Sequence, residues 1–165
     1  MRAAGCQALD ELRDLVGILR TSPPDDEGLP ASGLSALIAE STAVVTPTEL
    51  AEHGDPGLAS PVVGRTVHRI VREALTNVRK DAPGARVLVQ VRYNDSEVRL
   101  TVTNTPSAGR QVSDLATTGS GLGIASLRHR VDVAHGTLRA SRTEDGGFCL
   151  EAIMPAYVPT ADPAA

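Results

Sequence analysis

Aromatic side chains are nearly missing from this chain of 165 residues: they make up 2%, with one phenylalanine, two tyrosines and no tryptophan. Any core must therefore be aliphatic. Lysine is scarcer still. Of 16 basic residues only Lys80 is a lysine, and the other 15 are arginines. The net charge is −4, which argues against nucleic acid as the main partner. The two cysteines, Cys6 and Cys149, have neither metal spacing nor a pairing pattern, as expected in a reducing cytosol. No apolar run approaches transmembrane length and no signal peptide is seen, so this segment is expected to be cytoplasmic and to make no membrane contact. That expectation leaves a parent protein free to be membrane-anchored elsewhere. What is present is ordinary for a globular domain: 41% hydrophobic and 22% charged residues, in a length that suits one domain with a real core.

The most informative stretch is Gly119-Ser120-Gly121-Leu122-Gly123-Ile124. Alternating glycines let another group approach the backbone closely. A helical pattern follows through Leu122, Leu127 and Val131, and Gly136 sits where a helix would stop. Exposed N–H groups feeding a helix N-terminus form an anion site, so the stretch reads as a phosphate-covering loop or as a plain glycine hinge. Two familiar phosphate loops are excluded. A P-loop needs a lysine after the glycines, and the dinucleotide fingerprint needs a glycine where Ile124 stands and a strand just before.

In chain order, residues 2–20 read as a helix with a heptad-like seam of Leu9, Leu12, Val16 and Leu19. Pro23, Pro24, Asp25, Asp26 and Gly28 then supply linker chemistry. Residues 33–41 form a short helix candidate with Leu34, Leu37 and Ile38 on one side. Residues 44–53 can hold a strand, which Pro47 restricts to an edge or an irregular start.

The strongest helix pattern begins at Ser60 as N-cap and Pro61 as first helical residue. Val67, Ile70, Val71, Ala74, Leu75 and Val78 form one apolar stripe, and Pro83 and Gly84 end it. Glu73, Asn77, Lys80 and Asp81 run along one edge of the stripe. Glu73 and Asn77 are one turn apart, so both heads reach the same point beside the buried face. An acid and an amide there suit a hydrated cation such as Mg²⁺, which keeps several waters. An ordinary solvated flank has the same pattern. Arg72 and Arg79 fall on the far flank.

Residues 86–93 alternate strictly, Asn94-Asp95-Ser96 is a turn, and Val98, Leu100 and Val102 give a second strand. Asn104 shares their parity and is expected on the covered face, bonded either to neighbouring backbone or to a ligand edge. A long polar loop, 105–118, leads to the glycines. Residues 137–142 and 148–154 form a second hairpin around Glu144-Asp145-Gly146-Gly147, and the Pro- and Ala-rich tail from Pro155 is expected to fray.

Together these pieces resemble the ATP-binding catalytic domain of bacterial two-component sensor histidine kinases, within the wider gyrase and heat-shock chaperone ATPase family. The subgroup resembled is that of nitrate and membrane-fluidity sensors. Arg72-Glu73-Ala74-Leu75-Thr76-Asn77-Val78 resembles its N-box and Gly119-Ser120-Gly121-Leu122-Gly123 its second glycine box. Val102-Thr103-Asn104-Thr105-Pro106 stands in the place of its first glycine box. Residues 2–20 resemble the end of the second dimerisation helix. The resemblance implies a two-layer α/β sandwich of Bergerat type, about five mixed strands under about three helices on one face. It divides the chain into 1–20, the end of a dimerisation helix; 21–31, a linker; 32–156, the ATP-binding domain; and 157–165, a disordered tail. It implies ATP and Mg²⁺ as cofactors. Asn77 would bind the metal, and Glu73 would act catalytically by positioning a metal water or polarising the reaction. Lys80, Asp81 and the Gly119, Ser120, Gly121, Leu122, Gly123 and Ile124 stretch would meet ATP, and Asn104 would face the adenine amino group.

Two departures stand out. The family has Asp-x-Gly where this chain has Asn104-Thr105-Pro106, and its N-box commonly ends Lys-His where this one has Lys80-Asp81. The first implies weakened ATP binding and an Asn104→Asp variant about fivefold tighter, since a charged acceptor is worth about 1 kcal/mol more. The family's phosphate-accepting histidine lies upstream of residue 1, and His53, His68, His129 and His135 fall outside such a motif. Autophosphorylation by this chain alone is therefore not expected. The implied partners are a histidine-bearing dimerisation domain and a downstream response regulator. A non-catalytic nucleotide-binding module and an anti-sigma-type serine kinase of the same fold are the alternatives.

Overall fold

The computed structural model describes residues 33–43, 46–107 and 122–158. The expected dimerisation helix, the linker, most of the 105–118 loop and Gly119 to Gly121 lie outside them. Among these residues the α-helices and strands follow in order: α1 (Gly33–Ala43), β1 (Thr48–His53), α2 (Pro61–Asp81), β2 (Val87–Tyr93), β3 (Glu97–Asn104), α3 (Leu122–Val133), β4 (Thr137–Arg142) and β5 (Phe148–Pro155). The strands form one mixed sheet in the order β1-β2-β3-β5-β4. Among the described strands only the β1–β2 pair is parallel. The expected two-layer sandwich is observed.

The strand periodicity decides which face is covered. Val87, Val89 and Val91, Val98, Leu100 and Val102, and Leu150, Ala152 and Met154 are all buried on one face. Leu88, at the alternate parity, is 37% exposed. Against the covered face lies α2, whose Val63, Val67, Ile70, Val71, Ala74, Leu75 and Val78 are buried. The core is aliphatic, as the composition requires. Each such side chain contributes about 1.5–3 kcal/mol when fully buried, so truncating Ile70 to Ala would cost about 2–5 kcal/mol.

Ser60 does occupy the N-cap of α2 and Pro61 follows it, but the hydroxyl makes no capping bond. Its N–H donates instead to the Ala156 carbonyl at 2.7 Å, and Oγ is buried with no partner among the described residues. Ala156 in turn donates to the Ser96 carbonyl at 3.0 Å. Pro155 ends β5 and Ala156 and Val158 beyond it are buried, whereas residues 159–165 of the expected tail lie outside the described residues.

The stop of α3 also differs from expectation. The left-handed residue is His135, at φ 55°, not Gly136. Gly136 N–H donates to the Val131 carbonyl at 2.8 Å and His135 N–H to the Asp132 carbonyl at 2.9 Å, the two bonds of a Schellman motif. Gly136 is required for space: a Cβ there would lie 2.5 Å from the Ile153 carbonyl oxygen. Leu127 and Val131 are buried as the spacing predicts.

Candidate functional site

The two ends of the sheet differ in chemistry. At one end the start of α2 is tied to Ala156 and so to the Ser96 turn. A 21-residue helix is about 30 Å long, enough to cross the whole sheet, so α2 finishes at the other end. There Thr105 N–H donates to the Arg86 carbonyl at 3.0 Å and Arg86 N–H donates to Thr105 Oγ1 at 2.9 Å. Ser107 Oγ donates to the Pro83 carbonyl at 3.0 Å. The exit of β3 is thus stitched to the segment that leaves α2, and Asn104 shares an end with Asn77, Lys80 and Asp81.

The third component arrives through α3. That helix turns directly into β4 and packs on it, so the two run antiparallel. β4 proceeds from Thr137, opposite Ile153, to Arg142, opposite Phe148. The start of α3 therefore lies toward the Phe148 end, which is also the Asn104 end, because Asn104 is the register partner of Phe148. Of Leu122 and Gly123 only the helical backbone is described, and Ile124 is half-buried.

Glu73 and Asn77 are both half-buried along the edge of the α2 stripe, while Lys80 and Asp81 are exposed in its last turn. Arg72 and Arg79 are exposed, as their far-flank position predicts. Arg79 and Lys80 at a helix C-terminus also complement its dipole. Among the described residues no three His, Cys, Asp or Glu side chains gather to hold a metal. Glu73 and Asn77 fit a cation that keeps most of its waters and takes further ligands from phosphates, which is how Mg²⁺ is usually held.

Asn104 is 9% exposed and faces inward, as its parity requires. Its Nδ2–H donates to the Thr105 carbonyl at 2.8 Å. Its Oδ1 makes no hydrogen bond among the described residues, so of the two alternatives left by the sequence the bond to neighbouring backbone is observed, through the amide donor. The donor is used by backbone and the acceptor remains for another group.

Sequence reasoning missed the floor of this end, Gly147. A Cβ at Gly147 would lie 2.1 Å from the Asn104 carbonyl oxygen. The turn explains Gly146, which has φ 87°, but not the second glycine of the pair; that doubling was the available signal. The turn is held by Thr143 N–H donating to the Gly147 carbonyl at 3.1 Å and by Gly147 N–H donating to Asp145 Oδ1 at 3.3 Å. Thr143 Oγ1 also donates to Asp145 Oδ1, and these bonds hold the Asp145 carboxyl below the usual range.

An open depression of about 450 Å³ lies elsewhere, lined by His53, Gly54, Arg92, Tyr93 and Asn94. Tyr93 pairs with Val98 at the opposite end of the β2–β3 ladder from Asn104, so this hollow contains none of the expected site residues.

A mixed sheet roofed by helices on one face, with an acid, two amides and a helix start gathered at one end, defines a two-layer nucleotide-binding sandwich. The chain belongs to the histidine kinase-, DNA gyrase B-, and HSP90-like ATPase family, whose model matches residues 63–158. It is an ATP-binding module of the sensor histidine kinase type. It is 29% identical over 151 residues to sensor histidine kinase MctS of Rhizobium johnstonii, a match covering 90% of this chain and 32% of that protein. It is 35% identical over 79 residues to the nitrate/nitrite sensor protein NarX of Escherichia coli, covering 48% of this chain and 13% of that one. The blue-light activated histidine kinase EL346 of Erythrobacter litoralis has the same fold, with a TM-score of 0.56 at 16% identity over 74% of this chain and 44% of that one. The chain thus spans about a third or less of the curated relatives it matches. Among the described residues no helix is long and apolar enough to cross a membrane.

Proposed function

We propose that this chain holds MgATP between the C-terminal half of α2, the end of β3 and the start of α3. In the whole protein it would then pass the γ-phosphate to a histidine on a dimerisation domain, with a response regulator as the later acceptor. The observation that carries this reading is the convergence of Asn77, Asn104 and the α3 N-terminus on one end of the sheet. In the proposed roles, Asn104 Oδ1 accepts from the adenine amino group. Asn77 would bind Mg²⁺ and Glu73 would position one of its waters, and that ion would neutralise phosphate charge. Glu73 orients a water or the attacking group. Lys80 meets phosphate as a mobile point charge, Asp81 tunes the charge beside it, and the backbone of residues 119–124 accommodates phosphates at the helix start.

A nucleotide-binding module without transfer activity is favoured by one observation, the neutral Asn104 where the resembled kinases carry an acid. Supplying a separate histidine-bearing dimerisation domain with labelled ATP distinguishes the two: labelled histidine supports the kinase, bound ATP without transfer supports the passive module. The metal role has its own test. Asn77→Ala is expected to abolish Mg²⁺-dependent ATP binding in a folded protein, because a half-buried edge residue contributes little to the core. Titration calorimetry giving unchanged MgATP affinity in the variant would remove Asn77 from the site.

A further inference from the structure

We propose that Phe148 is the aromatic wall of the nucleotide-base pocket, contacting the purine that Asn104 recognises and setting the preference for a planar base. This rests on the ATP-binding reading above. Three observations carry it.

The first is register. Phe148 lies directly opposite Asn104 in the antiparallel β3–β5 pair. Directly opposed side chains share a face, with Cβ atoms about 4.5–5.5 Å apart. An amide oxygen with no donor among the described residues and a phenyl ring therefore stand side by side.

The second is burial along β5. Leu150, Ala152 and Met154 point into the core and are 3%, 0% and 0% exposed. Phe148 continues the same inward row but is only half-buried against the core. The ring thus packs partly on the core and, among the described residues, keeps some surface exposed.

The third is composition read against position. The chain has one phenylalanine and no tryptophan. Its two tyrosines lie elsewhere: Tyr93 at the far end of the β2–β3 ladder and Tyr157 beyond β5, 71% exposed. The rest of the covered row is aliphatic. A Leu or Val would close the core edge equally well, so the aromatic ring is explained by something outside the core. The position is also held firmly. Gly147 fits under the Asn104 carbonyl where no Cβ can go, and Arg142 pairs with Phe148 on the other side. A ring fixed beside an amide acceptor matches a base with an exocyclic amine and a π-face.

The absence of tryptophan gives a direct test on the full chain. F148W installs a single fluorophore in the pocket. Its emission is expected to change on adding a non-hydrolysable MgATP analogue and to stay constant with Mg²⁺-tripolyphosphate, which has no base. F148L, which keeps an apolar core edge, is expected to keep the thermal midpoint and lose about tenfold or more in ATP affinity, with tripolyphosphate affinity unchanged; F148Y is expected to restore it. A merely structural Phe148 would instead lower the thermal midpoint and weaken both ligands together, or neither. Wild-type ATP affinity in a folded F148L, or an F148W signal that tripolyphosphate reproduces, overturns the proposal. ATP binding absent from the wild-type chain overturns the underlying site reading, and is told apart by that control.

Discussion

Gly147 has no side chain because the Asn104 carbonyl oxygen occupies its place: a Cβ there would lie 2.1 Å away. The obstacle is backbone, which cannot swing aside like a flexible side chain. Gly147→Ala must therefore push the β4–β5 turn away from the end of β3. Overpacking of this kind costs about 1–3 kcal/mol. Denaturant unfolding is expected to show that loss, and calorimetry a fall in ATP affinity larger than that of an Ala substitution at exposed Glu144. Unchanged affinity in the variant would separate the turn from the binding site.

Asn104→Asp is where the structure revises the sequence-based expectation. A carboxylate would strengthen acceptance from an adenine amine, but the present amide also donates to the Thr105 carbonyl at 2.8 Å. The carboxylate loses that donor and sets two oxygens against each other in a nearly buried position. A bond of this kind is worth about 0.5–1.5 kcal/mol, enough to cancel the expected gain of about 1 kcal/mol. The variant is predicted to be less stable by about 1–2 kcal/mol, with no fivefold gain in ATP affinity. Calorimetric affinities and urea midpoints measured together check both parts.

Tyr93 and His68 give stability a pH dependence on opposite sides of neutrality. Burial, and then the neighbouring Glu52, push the Tyr93 hydroxyl up from 10.0 to about 12. The folded state keeps this proton longer than the unfolded state, so its contribution is complete below pH 10 and is lost between pH 10 and about 12. His68 works at the other side. Burial, and then the Arg72 charge, lower its pKa from 6.5, partly offset by a hydrogen bond with the Gly33 backbone. Its unfolded form binds a proton first, so stability falls as pH drops below 6.5. Urea midpoints across pH should show both slopes, and Tyr93→Phe and His68→Gln should each flatten one of them.

His135 holds a left-handed conformation that a side chain disfavours. His135→Gly is expected to stabilise the domain by about 0.5–1 kcal/mol. Gly136→Ala, one residue on, is expected to destabilise it by about 1–3 kcal/mol, because its Cβ would meet the Ile153 carbonyl oxygen. Thermal melts of the two variants should move in opposite directions. The same sign for both would contradict the Schellman assignment at the end of α3.

The sequence alone determined the elements and the faces they bury. The α2 stripe, the alternation in β2 and β3 and the β4–β5 hairpin are local periodicities, and each survived because the aliphatic residues had only one core to enter. It also placed Asn104 inward, since parity along a strand is a local property. Tertiary structure decided everything that depends on pairing between distant segments. It set β5 between β3 and β4, put β1 parallel to β2 at the edge, and tied Ala156 to Ser60 and Ser96. It assigned the left-handed turn to His135 and left the close contact to Gly136, because a glycine required for space and one required for φ look identical in sequence. For the same reason Gly147 and Phe148 could not be read as neighbours of Asn104. More than 40 residues of chain separate them, and only the β3–β5 register brings them together.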